Sequence, residues 1–116
     1  MKVRLIFDKH VLNATLDDSK AAKSFFALLP LELQLEDYAA TEKISDLPQK
    51  LAVEDAPRGY QPKIGDITYY APWGNLAIFY KNFGYANGLV RLGEITSDIK
   101  LLKKSGSFTV RIESDE

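Results

Sequence analysis

The chain contains no cysteine and only one histidine, one methionine and one tryptophan in 116 residues. Without cysteine there are no disulfides, no thiol chemistry and no thiolate metal sites. A lone histidine, His10, falls short of the three or four ligands that zinc requires. It also sits in an early turn, so none of the seven serines gains a hydrolytic triad from it. Charge of one sign is lacking too: 15 basic residues face 16 acidic ones, for a net charge of -1. That balance, with Lys103-Lys104 the nearest thing to a basic patch, argues against a phosphate-reading surface and a nucleic-acid partner. No glycine run matches a phosphate-binding loop, since Gly84 and Gly88 do not open a helix. Apolar runs are only a few residues long and no signal-peptide pattern opens the chain, so the expectation is a cytoplasmic domain with no membrane partner. Asp17-Asp18 reads as helix-start charge and not as a metal pair, leaving no metal site and no cofactor to expect.

What is present is apolar and β-prone. Hydrophobic residues make up 46% of the chain and aromatics 11%, enough for one folded domain spanning residues 1–116. Val3–Phe7 and Val11–Leu16, separated by a short polar turn, predict a hairpin with Leu12, Ala14 and Leu16 on one face. Asp17-Asp18-Ser19 offers N-cap oxygens. Ala22, Phe25, Phe26 and Leu29 then fall at helical spacing until Pro30. Leu31–Glu36 alternates as a half-buried strand. Residues 37–65 are punctuated by proline and glycine, with short strands expected around Lys43–Leu47 and Gln49–Val53 and Thr41-Glu42 in a loop. Ile67–Ala71 and Leu76–Tyr80 flank the turn Pro72-Trp73-Gly74-Asn75, the clearest hairpin in the chain. An aromatic, glycine-rich loop follows at 82–88, then a strand over Leu89–Ile95. A short helix capped by Ser97 and a last strand alternating Phe108, Val110 and Ile112 complete the chain. About eight short strands and two short helices in so small a chain predict a mainly β protein. Closing the sheet into a barrel removes its exposed edges, and the helices would cover the barrel ends.

Three stretches carry a resemblance. They are Glu36-Asp37-Tyr38 with Thr41-Glu42-Lys43-Ile44, the long run Gly65–Tyr80, and Phe83-Gly84-Tyr85 with Gly88-Leu89. Together with the order of elements, they resemble a bacterial group of cyclophilin-like proteins without a settled activity. The resemblance implies a closed cyclophilin-like β-barrel. Cyclophilins proper are peptidyl-prolyl isomerases whose cleft joins an arginine to a Phe-Met-x-Gln run, an Ala-x-Ala-Asn segment and a rim Trp and His. None of these motifs can be placed here, because the only methionine is Met1 and the only histidine is His10. Arg58 and Arg91 are the arginines left to fill such a role, and no catalytic residue is assigned.

Seven aromatics fall between Tyr69 and Tyr85. Strand alternation sends Tyr69 with Ile67 to one face and Tyr70 to the other, and sets Phe79 against Ile78 and Tyr80. One set fills the barrel; the bland reading makes the rest core and covered surface. The sharper reading is a groove for a peptide or small organic ligand lined by Tyr70, Trp73, Phe79, Tyr80 and Phe83, with Glu42 and Asn75 as polar anchors. Turn geometry explains Pro72 and Gly74 but does not demand a tryptophan between them. Two functions stand beside this non-enzymatic binding domain: a weak or altered isomerase, and a self-association module whose surplus aromatics form a homodimer face.

Overall fold

The computed structural model describes residues 1–103 and 106–116. Lys104, half of the Lys103-Lys104 pair, lies outside the described residues. The first hairpin joins β1 (Lys2–Phe7) to β2 (His10–Leu16), with Val3, Leu5, Phe7, Leu12, Ala14 and Leu16 all buried on its inner face. The α-helix α1 (Lys20–Phe26) begins where the Ser19 side chain accepts the Ala22 N–H at 3.1 Å. This N-cap satisfies a donor that the first helical turn leaves orphaned. Ala21, Ala22 and Phe25 bury into the barrel core, and the helix stops at Phe26, before Leu29.

β3 (Leu31–Tyr38) and β4 (Glu42–Asp46) follow, then the short β5 (Gly59–Tyr60). β6 (Asp66–Tyr70) and β7 (Asn75–Phe79) form the aromatic hairpin. The chain closes with the short β8 (Ala86–Asn87), β9 (Leu89–Ile95) and β10 (Phe108–Ser114). Eight strands form a closed antiparallel barrel in the order β1-β10-β3-β4-β7-β6-β9-β2, while β5 and β8 pair as a separate ribbon. Eight strands give an interior just wide enough for side chains. Leu5, Leu12, Leu35, Ile67, Tyr69, Leu76, Ile78 and Leu92 fill it, each at most 2% exposed.

Four expectations are corrected. The second helix is a 3-10 helix (Ile99–Lys103), which leaves a single α-helix among the described residues; it buries Leu102 in the core, with Ile99 and Leu101 packed against it. Gln49–Val53 is not a strand. Leu51 plugs into the core instead, and its N–H donates to the Tyr69 hydroxyl at 3.3 Å. Glu42 is not in a loop: Ala39 and Ala40 turn the chain at φ 54° and 51°, so β4 begins at Glu42. The aromatic loop at 82–88 holds a strand, β8, whose partner Gly59-Tyr60 is too short to show a period.

β9 closes the barrel against β2 through Gly93. Only three residue pairs make this seam, Ala14–Ile95, Thr15–Glu94 and Leu16–Gly93. On its other side β9 meets β6 with a register shift between Ile67 and Thr68, as a β-bulge produces. A Cβ on Gly93 would lie 2.1 Å from the Thr15 carbonyl oxygen. The strand therefore needs a residue with no side chain at this point.

Candidate functional site: an aromatic cleft outside the barrel

The strands β4, β7 and β6 turn one face inward and one outward. Leu76 and Ile78 point into the barrel, so Asn75, Ala77 and Phe79 point out, yet all three are at most 4% exposed. The β5–β8 ribbon and the 71–74 turn lie over that outer face. Ala77, Phe79 and Leu89 form a second apolar cluster there, packed by Ile44, Tyr60, Tyr70 and Ala86. The cover is incomplete. A cleft of about 240 Å³ remains, lined by Tyr38, Glu42, Ile44, Tyr70, Trp73, Asn75, Phe79, Phe83, Ala86 and Leu89.

Register fixes the length of this cleft. Glu42 is paired with Tyr38 on one side and Phe79 on the other, while Asn75 is paired with Tyr70. Four residue steps along β7 take the chain from Asn75 to Phe79, so the two polar groups sit roughly 13 Å apart along the strand. Trp73 rises from the turn at the Asn75 end, where its backbone N–H and that of Gly74 reach the Tyr70 carbonyl at 3.2 and 2.9 Å. The indole is 62% exposed and meets Tyr70 and Tyr38 edge-on, at 83° and 82°. The tryptophan thus edges a cleft and does not fold into the core.

Six of the seven residues read from the sequence line this space: Glu42, Tyr70, Trp73, Asn75, Phe79 and Phe83. Tyr80 does not. It follows Phe79 and turns to the opposite side, where its hydroxyl donates to Asp37 and the ammonium of Lys43 lies 5.6 Å from its ring. Burial, then the bond to Asp37, pushes the Tyr80 phenol up to about 12. The same bond, ahead of the Lys43 charge, holds Asp37 below the usual carboxylate range. Lys43 itself is 1% exposed and 3.4 Å from Asp37. Tyr38, Ile44, Ala86 and Leu89 are lining residues that sequence reasoning missed. Tyr38 was legible in principle as the cross-strand partner of Glu42, but an Ala-Ala turn gives no signal for a tight hairpin.

Glu42 has no hydrogen-bond or ion-pair partner among the described residues, and burial pushes its carboxyl up from 4.5 to about 7. Its ionised form is therefore disfavoured in the fold relative to the unfolded chain, so stability falls as pH rises from about 4.5 to about 7. Glu42→Gln, neutral throughout, is expected to be more stable than the parent at pH 8 by about 1–2 kcal/mol. Solvent at the cleft mouth keeps this below the full 1.36 kcal/mol per pH unit. Thermal melts should show a gain of roughly 3–8 °C at pH 8 and none near pH 4. An equal gain at both pH values would assign the effect to something other than ionisation.

A second cavity, of about 530 Å³, lies beside α1 and is lined by Asp17, Tyr60 and Arg91 among others. Its guanidinium is already engaged. Arg91 Nε donates to Asp17 at 3.0 Å and one Nη to Asp66 at 2.9 Å, with Glu94 at 3.8 Å. Tyr60 completes the group by donating to Asp66 at 2.6 Å. Burial pulls the Arg91 pKa down, but Tyr60 and the carboxylates outweigh it and leave it raised. Neither Arg91 nor Arg58 lines the aromatic cleft. Among the described residues, no group of three or more His, Asp or Glu side chains is placed to hold a metal ion. Among the described residues, no helix is long and apolar enough to cross a membrane.

The closed eight-stranded antiparallel barrel defines a class of fold, and the comparisons agree with it. The model of the cyclophilin-like family matches residues 5–113, and the chain belongs to that family. Among solved structures it is similar to the solution structure of a hypothetical protein from Archaeoglobus fulgidus. The TM-score is 0.72 at 17% identity, over 97% of this chain and 93% of the other. That likeness is one of fold. No curated protein matches the chain at a significant level.

Proposed function

We propose that this protein is a binding domain that takes a small organic molecule or a short peptide segment in the aromatic cleft, without acting as an isomerase. The observation that carries the reading is convergence. Tyr70, Trp73, Phe79 and Phe83, with Glu42 and Asn75, come from three strands, a turn and a ribbon loop to line one cavity. Rings of this kind supply contact area at little entropic cost, and a few polar groups set orientation. At about 240 Å³ the cleft is slightly below the roughly 300–1,000 Å³ typical of drug-sized ligands, which favours a compact occupant. An isomerase would need an arginine where a twisted imide nitrogen could lie. No arginine is among the lining residues.

A fragment and proline-peptide screen by amide NMR is the test. Hits are expected to shift Glu42, Tyr70, Trp73, Asn75 and Phe83 together. Trp73→Ala is expected to weaken them about tenfold or more while changing stability by less than about 1 kcal/mol, since the indole is largely exposed. Shifts that gather instead around Arg91 and α1 would move the site to the second cavity. Catalysed exchange of a proline peptide would restore the isomerase reading.

A further inference from the structure

Among the described residues, the cleft has one carboxylate and no compensating cation. Of its lining residues only Glu42 carries a charge, and no lysine, arginine or histidine is among them. The nearest buried ammonium, Lys43, is the next residue along the strand. Its side chain therefore leaves from the other face, toward Asp37 and the rings of Tyr80 and Phe108. The walls around Glu42 are aromatic. Tyr38 is its cross-strand neighbour, Phe79 its partner on the other side, and Phe83 lies 6.1 Å from Phe79, ring to ring. Aromatic faces carry negative potential and attract cations, most strongly where water is excluded. A second polar demand lies at the far end. Asn75 is 4% exposed, and its Oδ1 is buried without a hydrogen-bond partner while its Nδ2 donates to the Leu76 carbonyl at 3.0 Å. An unpaired buried acceptor is costly and calls for a donor.

Resting on the reading of the cleft as a ligand site, we infer that its occupant is a small organic cation. A primary or secondary ammonium sits against Glu42, an aromatic or aliphatic body lies between the rings, and an N–H or O–H donor at the far end points toward Asn75. Charge complementarity selects it. An anion meets Glu42 with like charge, and a neutral alcohol of the same shape fills the space but leaves the carboxylate uncompensated. The same ammonium chemistry is found on free amines and on lysine side chains, and the two sources are separable by experiment.

The probes are three molecules of one shape: the ammonium of 4-(2-aminoethyl)phenol, the neutral 4-(2-hydroxyethyl)phenol and the anion 3-(4-hydroxyphenyl)propanoate. N-acetyl-lysine methylamide stands for a lysine side chain. Titrations at pH 8, where Glu42 with its value of about 7 is mostly ionised, are read by amide shifts of residues 38–44 and 70–89. The ammonium is expected to bind about tenfold more tightly than the alcohol, and the anion weakest of all. Glu42→Gln is expected to bring the ammonium and the alcohol within about twofold of each other, while Glu42→Asp keeps part of the preference. Tighter binding of the blocked lysine than of the free amine assigns the source to a protein, and the reverse to a small molecule. Equal binding of ammonium and alcohol to the parent would overturn the inference and leave the cleft as a site for neutral ligands. So would a tighter anion. No shift from any probe at millimolar concentration would overturn it as well, and the fragment screen then decides separately whether the cleft binds anything.

Discussion

Arg91→Met is expected to cost about 3 kcal/mol of stability, because it strands a carboxylate that has been taken out of water. Asp66 is buried, with 3% of its side chain exposed, and Arg91 is its ion-pair partner at 2.9 Å. The hydroxyl of Tyr60 and the N–H of Lys63 also serve this carboxylate, at 2.6 and 2.8 Å, but neither carries charge. Asp17 and Glu94 lie nearer the surface and lose less. The sharper test is a double-mutant cycle with Asp66→Asn, which removes the buried charge itself. The double variant should recover about 2 kcal/mol relative to the sum of the single changes, measured by urea denaturation. Strict additivity would show that solvent reaches Asp66. Arg91→Lys should fall between, since an ammonium cannot fork to both Asp17 and Asp66 as the guanidinium does.

Gly93→Ala is the second large effect, and its cause is steric. The added methyl carbon would sit 2.1 Å from the Thr15 carbonyl oxygen and 2.8 Å from the Leu16 Cα. Both atoms are backbone, so no side chain can swing aside to make room. Relief requires β2 and β9 to separate where only three residue pairs hold them. A loss of about 3 kcal/mol or more is expected, which in a chain of this size lowers the melting temperature by roughly 10 °C. Gly84→Ala is the matched control, because nothing lies within 4 Å of its Cβ position. A Gly93→Ala melt within about 2 °C of the parent would mean that the seam bends more easily than its register suggests.

How much of this was written in the sequence depends on the distance over which each signal acts. The barrel was legible because β2, β3 and β10 alternate, as Leu33 and Leu35 do against Glu32, Gln34 and Glu36, and because the order of elements carried the family resemblance. The hairpin over Asp66–Phe79 was legible because its turn residues lie between two β-prone runs. Those same residues supplied most of the cleft, although alternation only separated Tyr70 from Tyr69 and Phe79 from Tyr80 and left open which set faced outward. Tyr80 shows the limit of that argument. It was grouped by composition, and its parity sent it to Asp37 and Lys43. The ribbon was not legible. Gly59-Tyr60 and Ala86-Asn87 are two residues each, are separated by 25 positions, and pair only because the barrel brings them together. The Arg91 cluster was equally silent, since Asp17, Tyr60, Asp66 and Arg91 are joined by topology and not by spacing.

The ribbon has one more consequence. The floor of the cleft belongs to strands whose register cannot slip without breaking the closed sheet, whereas Phe83 and Ala86 are carried by a two-pair flap tied down through Tyr60. In the binding domain proposed above, selectivity would be rewritten by exchanging a handful of residues in the flap, at little cost to the scaffold beneath. Within such a lineage the container would be inherited and the taste of its opening would drift.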